Sequence, residues 1–419
     1  MLEVSMKRDY HEKKGKYMGA LMDEKIKERE ARKKELAKKR KVEQRKKVVG
    51  IQMIIIVAII LLMVLAGVAA LADKVSENRG NSSQSGEQAD NGGEDKKGKE
   101  EITITPTPQE IQPVESTVLT VSLAGDCTIG ADKNANTSKN LNAYYNKYKD
   151  FGYFFKNVKS IFEADDLTIV NMEGTLTELD TRQDKKFAFK GIPEYAQILV
   201  EGDIEAANLA NNHSKDYGAQ SYTDTIANLE NAGVATFGYD RTVVMDVKGV
   251  KVGLIGIYEL ALHMGCQEQL LENINIVKDQ GAQIIIVSFH WGVEREYYPN
   301  DTQKTLAHLA IDNGADLVVG HHPHVLQGIE EYKGKNIVYS LGNFCFGGNN
   351  NPSDKNTMIF QQTFTIENGE LVEDNVKNII PCCLSSTWDY NDYCPTPLTG
   401  DEAERVLNKI EQYSKGLSQ

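Results

Sequence analysis

The chain has 419 residues, 41% of them hydrophobic, with 47 Lys/Arg against 60 Asp/Glu and a net charge of −13. That size suits two or three domains, or one large domain with appendages. The charge is unevenly placed. Residues 1–47 carry 18 basic and 9 acidic side chains, a surplus of +9 that leaves −22 for the remainder. An acidic body argues against nucleic acid as a partner, because phosphate binding needs a basic face, and a basic head on an acidic body implies two environments.

In chain order, the basic segment 1–47 comes first; from Asp23 to Lys47 its charges alternate without an apolar face, as in a solvated helix or an unstructured stretch. Val48–Ala72 follows, 25 residues whose one clearly polar member is Gln52. At ~1.5 Å per residue such a run can span a hydrocarbon core of roughly 30 Å. It exceeds the apolar region of a signal peptide, so the expectation is a single transmembrane helix. Arg40, Lys41, Arg45, Lys46 and Lys47 abut its N-terminal side, which places the N-terminus in the cytoplasm and the rest of the chain outside the cell membrane. Residues 73–117 are rich in Asn, Gly, Ser, Glu and Lys and pass through Thr105-Pro106-Thr107-Pro108; they are expected to be a flexible extracellular linker.

From Val118 the pattern changes to short Val/Ile-rich runs between helical stretches. Strands are expected at Val118–Leu123, Leu167–Asn171, Ile204–Leu209, Val252–Ile257, Ile284–Ser288, Leu317–Val319 and Asn336–Ser340. Helices are expected near Tyr144–Phe162, Ser221–Ala232, Leu270–Gln280 and Thr302–Asn313. Val243–Val247 and Val252–Ile257, joined through Lys248-Gly249, suggest a hairpin. This alternation predicts an α/β sheet domain over 118–382, with 383–419 as a C-terminal extension. The six cysteines (Cys127, Cys266, Cys345, Cys382, Cys383 and Cys394) form no zinc-knuckle spacing. Cys382, Cys383 and Cys394 are close enough in sequence to include one disulfide in an exported domain; free buried thiols are the plainer reading.

Several expected strands end in polar clusters: Gly125-Asp126, Asn171-Met172-Glu173, Asn211-Asn212-His213, His290 through Glu294, and Gly320-His321-His322-Pro323-His324. In open α/β sheets the carboxyl ends of parallel strands share one edge, where ligands bind. Imidazole, carboxylate and amide oxygen together suit a divalent ion such as Mn, Zn or Fe. Each cluster alone has a bland explanation. Asp126 suits a turn cap, Glu173 a surface carboxylate, and Asn212-His213 an Asx turn beside a core histidine. His322-Pro323-His324 is the sharpest signal, since a strand-like H-x-H sets both rings on one side and turns His321 away. His11, His263 and His308 have no context that supports a role. No P-loop or nucleophile elbow is present.

The stretches LAGDCTIG, NMEGTLT, FAFKGIPEYA, ANNHSKDYG, SFHWGVE, GHHPHVLQGIE and YSLGNF, in that order, resemble the CapA family of capsule-synthesis proteins, poly-γ-glutamate synthesis type. The resemblance covers about 118–382. It implies a four-layer α/β/β/α calcineurin-like metallophosphatase sandwich with one or two metal ions. It places Asp126 and His324 on a first metal, Asn212, His290 and His322 on a second, and Glu173 between them. It makes His213 the candidate general acid or transition-state stabiliser, Lys190 and Asn343 contacts to an anionic ligand, and Asp216 and Glu294 orienters of the ligand histidines. Phosphatases open with Asp-x-His, whereas this chain has Asp126-Cys127-Thr128, so a first-metal histidine of that pattern is missing. Three readings follow. The first is an accessory protein for synthesis or export of an anionic surface polymer, working with membrane-bound synthetase subunits. The second is a metal-dependent hydrolase, phosphoesterase or amidohydrolase, of the cell envelope. The third is an inactive membrane scaffold.

Overall fold

The computed structural model describes residues 116–135 and 138–417. The basic segment 1–47, the apolar run 48–72 and nearly all of the linker 73–117 lie outside them. Among the described residues no helix is long and apolar enough to cross a membrane.

Two main sheets are built from β1 (Ser116–Thr128), β2 (Leu167–Glu173), β3 (Ala206–Asn208), β4 (Ala235–Phe237), β5 (Val243–Val247), β6 (Val250–Tyr258), β7 (Ile284–His290), β8 (Leu317–His321), β9 (Ile329–Tyr332), β10 (Lys335–Val338), β11 (Asn343–Phe346), β12 (Asn356–Glu367) and β13 (Glu370–Cys383). The first sheet runs β13-β12-β1-β2-β3-β4, with β11 beside β1 and the two-residue strand Thr396–Pro397 at its edge. The second runs β9-β10-β8-β7-β6-β5. In the first, β1, β2, β3 and β4 are parallel; in the second, β6, β7, β8 and β10 are parallel. Their carboxyl ends therefore collect on shared edges.

Alternation along the strands shows how the layers pack. In β7, Ile284 and Ile286 join one core while Ile285 and Val287 join another. In β6, Val252 and Leu254 face the first core and Ile255 and Ile257 the second. Strands buried on both faces read as continuous apolar runs, as these do. The shared core sets Leu119, Val121 and Leu123 of β1 against Leu254, Ile286 and Val319 of the other sheet. The helices α1 (Leu141–Tyr148), α2 (Ala196–Glu201) and α3 (Ala219–Ala232) bury Leu141, Ile198, Leu199 and Leu229 on the outer face of the first sheet. Beyond the second sheet, α4 (Gln267–Asp279) and α5 (Asp301–Asp312) bury Leu270, Ile274, Leu306 and Ala310. The order is helix, sheet, sheet, helix, a mixed α/β architecture.

Some expectations change. The helix expected over Tyr144–Phe162 is three pieces: α1, a 3-10 turn at Gly152–Phe154 and a helical turn at Lys159–Phe162. Lys149, at φ 53°, caps α1 in the left-handed region with its N–H on Tyr145 O, which ends a helix. β1 begins at Ser116, two residues before the expected boundary. The segment after 382 packs on the same body: Tyr393 and Cys394 join one core, and Val406 and Ile410 of α6 (Gly400–Ser414) another. All six cysteines are free and buried.

Candidate metal centre

Register aligns the donors before any side chain is considered. Asp126 pairs with Asn171 across β1 and β2, Asn171 with Asn208 across β2 and β3, and Asp126 with Asn343 of β11. In the other sheet His290 pairs with His321. The β1 register shifts between Ala124 and Asp126, and there the Asp126 N–H donates to Gly342 O at 2.9 Å. A Cβ on Gly125 would meet that carbonyl at 2.1 Å, so only glycine allows the approach that carries Asp126 to the edge.

Asp126, Glu173 and His290 are fully buried, and each offers a ligand atom within 4.8 Å of the others. Asn212 adds its Oδ1 at 2.8 Å from His290 Nε2. Glu294, His322 and His324 form a second group at the same spacing, and the His322 and His324 rings lie 5.6 Å apart. The groups touch: His324 Nδ1 lies 3.1 Å from Asp126 Oδ2, and the His290 and His322 rings are 4.9 Å apart. Glu294 thus stands among the donors themselves. Glu173 Oε1, 3.4 Å from His290 Nε2, and His322 Nδ1 are buried with no hydrogen-bond partner among the described residues. Buried polar atoms are rarely left so, and a cation is the partner that this mix of carboxylate and imidazole suits. The donor set therefore fits a divalent metal.

Electrostatics agree with crowding of like groups. Burial, and then Asp126, push the Glu173 carboxyl up to about 8. Burial would raise Asp126, but the His321 and His324 rings beside it hold it well below the usual carboxylate range. Burial opposes a charge on His324, yet Glu173 and Asp126 raise it to about 9. Burial and His322 hold His290 well below its ordinary value. Burial and His324 bring His322 down to about 4.

At the mouth, a cavity of about 120 Å³ is lined by His213, Glu294, Arg295, His324, Asn343 and Phe189, among others. Asp216 Oδ2 holds His213 Nδ1 at 2.8 Å, and Phe189 packs 4.5 Å from the ring. Burial lowers the His213 pKa against the pull of Asp216. Asn343 Oδ1 lies 2.9 Å from His324 Nδ1 and its Nδ2 donates to His324 O, so it positions a donor ring.

Three sequence readings are corrected. Lys190 does not turn toward the site; its Nζ donates to Leu179 O and Asp180, because in the strand Phe189–Gly191 it alternates away from the buried Phe189 and Gly191. Lys185 stands there instead, donating to Asn212 O at 2.8 Å and Asp216 at 2.7 Å. His322 and His324 are not strand-like: β8 ends at His321, and the two have φ 95° and 58°. Such backbone is costly and concentrates at functional sites. His321 does not point away; its Nδ1 lies 3.4 Å from Asp126 Oδ1, though without hydrogen-bond geometry. Asn171, unremarked as a contributor in the sequence, donates to Asp126 at 2.8 Å and accepts from Asn208. Its position at the end of an apolar run, two residues before Glu173, is the signal that could have found it.

The fold and site together define a two-sheet α/β protein with a histidine–carboxylate centre at its strand ends. The family model for the bacterial capsule synthesis protein PGA_cap matches residues 120–348, and the chain belongs to that family. It is similar to the capsule biosynthesis protein CapA of Bacillus anthracis, 31% identical over 55% of this chain and 61% of that protein. It is equally similar to the PGA biosynthesis protein CapA of Bacillus subtilis (strain 168), 31% identical over 57% and 66%. A probable polyglutamine synthesis accessory protein of Mycobacterium tuberculosis is 29% identical over 43% and 55%. The chain thus matches less than two thirds of each of these relatives. Among solved structures, the match to a hypothetical protein from Thermus thermophilus covers 63% of this chain and 99% of that one, at TM-score 0.40 and 14% identity.

Proposed function

We propose that the chain is a membrane-anchored accessory protein in synthesis or export of an anionic capsule polymer such as poly-γ-glutamate. Its folded domain stands outside the cell and carries a divalent metal site. The names of its relatives support the polymer, and the apolar run Val48–Ala72 beside a basic flank supports the anchor. The observation that carries the metal site is the pair of buried ligand atoms without a hydrogen bond among the described residues, Glu173 Oε1 and His322 Nδ1, each inside a donor group.

Asp126, Glu173, His290 and Asn212 would hold one ion, and Glu294, His322 and His324 another. Bound Mn, Zn or Fe supplies Lewis acidity toward a carboxylate or phosphoryl oxygen and acidifies bound water. Asn171 and Asn343 fix Asp126 and His324 in place. Asp216 keeps its proton-sharing contact on His213 Nδ1, which leaves Nε2 for a ligand in the cavity.

The His213–Asp216 pair supports hydrolysis as a second reading, because a general acid needs such an orienting carboxylate. One experiment tests the site. Metal content of the purified full chain is measured for wild type and His322→Ala. Transition metal in the wild type and a clear loss in the variant are expected, and chelation should lower the wild-type Tm alone. Equal and negligible metal in both would overturn the site. Turnover of an envelope phosphoester or amide, restored by Mn or Zn after chelation, would select the hydrolase.

A further inference from the structure

Next to the mouth of the donor cluster lies a second cavity of about 580 Å³, within the roughly 300–1,000 Å³ typical of ligand clefts. Ser353 and Asp354 wall both cavities. The second one gathers Lys355, Arg405, Lys409 and Trp388. Lys355 is 8% exposed, and its Nζ donates to Asn351 Oδ1 and Pro352 O; no carboxylate pairs with it among the described residues. A buried ammonium without an acid partner is costly. The Lys409 ammonium, on α6, has neither a hydrogen bond nor an ion pair among the described residues. The Arg405 guanidinium lies 5.4 Å over the Trp388 ring and pairs with Glu402 at 2.7 Å. The other carboxylate of the lining, Asp354, accepts from Tyr297 at 3.2 Å. Both acids are engaged, while neither lysine is paired with a carboxylate among the described residues. On a body as acidic as this one, such a cleft focuses positive potential locally.

We propose that this cavity is a binding subsite for a polymer of repeated carboxylates. Lys355 and Lys409 take the carboxylate of one unit, and the Trp388 face takes its aliphatic stem. Neighbouring units pass the Ser353–Asp354 wall toward the metal centre, where Arg295 lines the mouth. The inference rests on the polymer-handling reading and adds the place where the chain is gripped.

The protein carries its own reporter. Of its two tryptophans, Trp291 is fully buried and Trp388 is 45% exposed. Sodium poly-γ-glutamate is titrated into the full chain in detergent while Trp emission is followed. A saturable change is expected in the wild type and none in Trp388→Phe. Lys409→Gln should weaken binding about five-fold, and Lys409→Arg should restore it. Added NaCl should weaken it further, as for any exposed charge contact. No emission change, or equal affinity in Lys409→Gln, overturns the subsite. If His322→Ala loses its metal yet keeps the Trp388 signal, the subsite is supported independently of the metal centre. If His322→Ala abolishes binding and Lys409→Gln leaves it intact, the metal centre stands and the subsite falls.

Discussion

Gly125 shows how narrowly the site is drawn. A methyl group in place of its hydrogen would sit 2.1 Å from Gly342 O. Gly125→Ala should cost about 1–3 kcal/mol by forcing β1 away from the loop before β11. Because Asp126 moves with it, bound metal should fall alongside the thermal midpoint, which calorimetry and metal analysis on one sample can check; full metal content at normal Tm would show that the loop yields freely. The same scale explains how far the sequence can be read. Asp126, Glu173, Asn212, His290, His322 and His324 are legible because they fall in polar clusters that close apolar runs. Lys185 and His321 are not. Lys185 lies in a loop without pattern. Extended backbone would turn His321 away from the site, whereas φ becomes positive at His322.

Hairpins have the most local sequence signal, and yet only the first of the three below is among the expected elements. Lys248-Gly249, Lys333-Gly334 and Asn368-Gly369 all have positive φ at both residues, the turn that matches strand twist. The first is recognisable from its apolar flanks. The third joins β12 to β13, whose Lys377 and Asn378 lie at the surface with Val372 and Val376 exposed, so the apolar pattern is weak there despite the Asn-Gly signal. At the opposite ends of the parallel strands a different element property operates. Glu205, just before β3, accepts from the Thr168 N–H at 2.8 Å, yet burial raises it from an ordinary 4.5 to about 7. A carboxyl that binds its proton more tightly when folded contributes stability below about 4.5, and that contribution is lost as pH rises through about 7. Glu205→Gln keeps an acceptor and removes the charge. Its Tm should fall less than the wild type's between pH 5 and pH 8; parallel decline in both proteins would refute the assignment.

The whole molecule sets two parallel sheet edges side by side, and neither alone holds a full donor set. Asp126 and Glu173 come from one sheet, and His290, His322 and His324 from the other or its loops. The layers are legible because buried strands read as unbroken Val/Ile runs. The pairing of one sheet with the other is not, since no local pattern records which faces meet across a core. The six thiols give this body a further property. Every one is buried, so a maleimide cannot reach them while the layers stay closed, and labelling should track the rate or extent of opening. Pulse labelling across a urea series should therefore follow the same transition as circular dichroism. A thiol that reacts well before it would mark the first part of the sandwich to come apart, which makes this chain its own recorder of where unfolding begins.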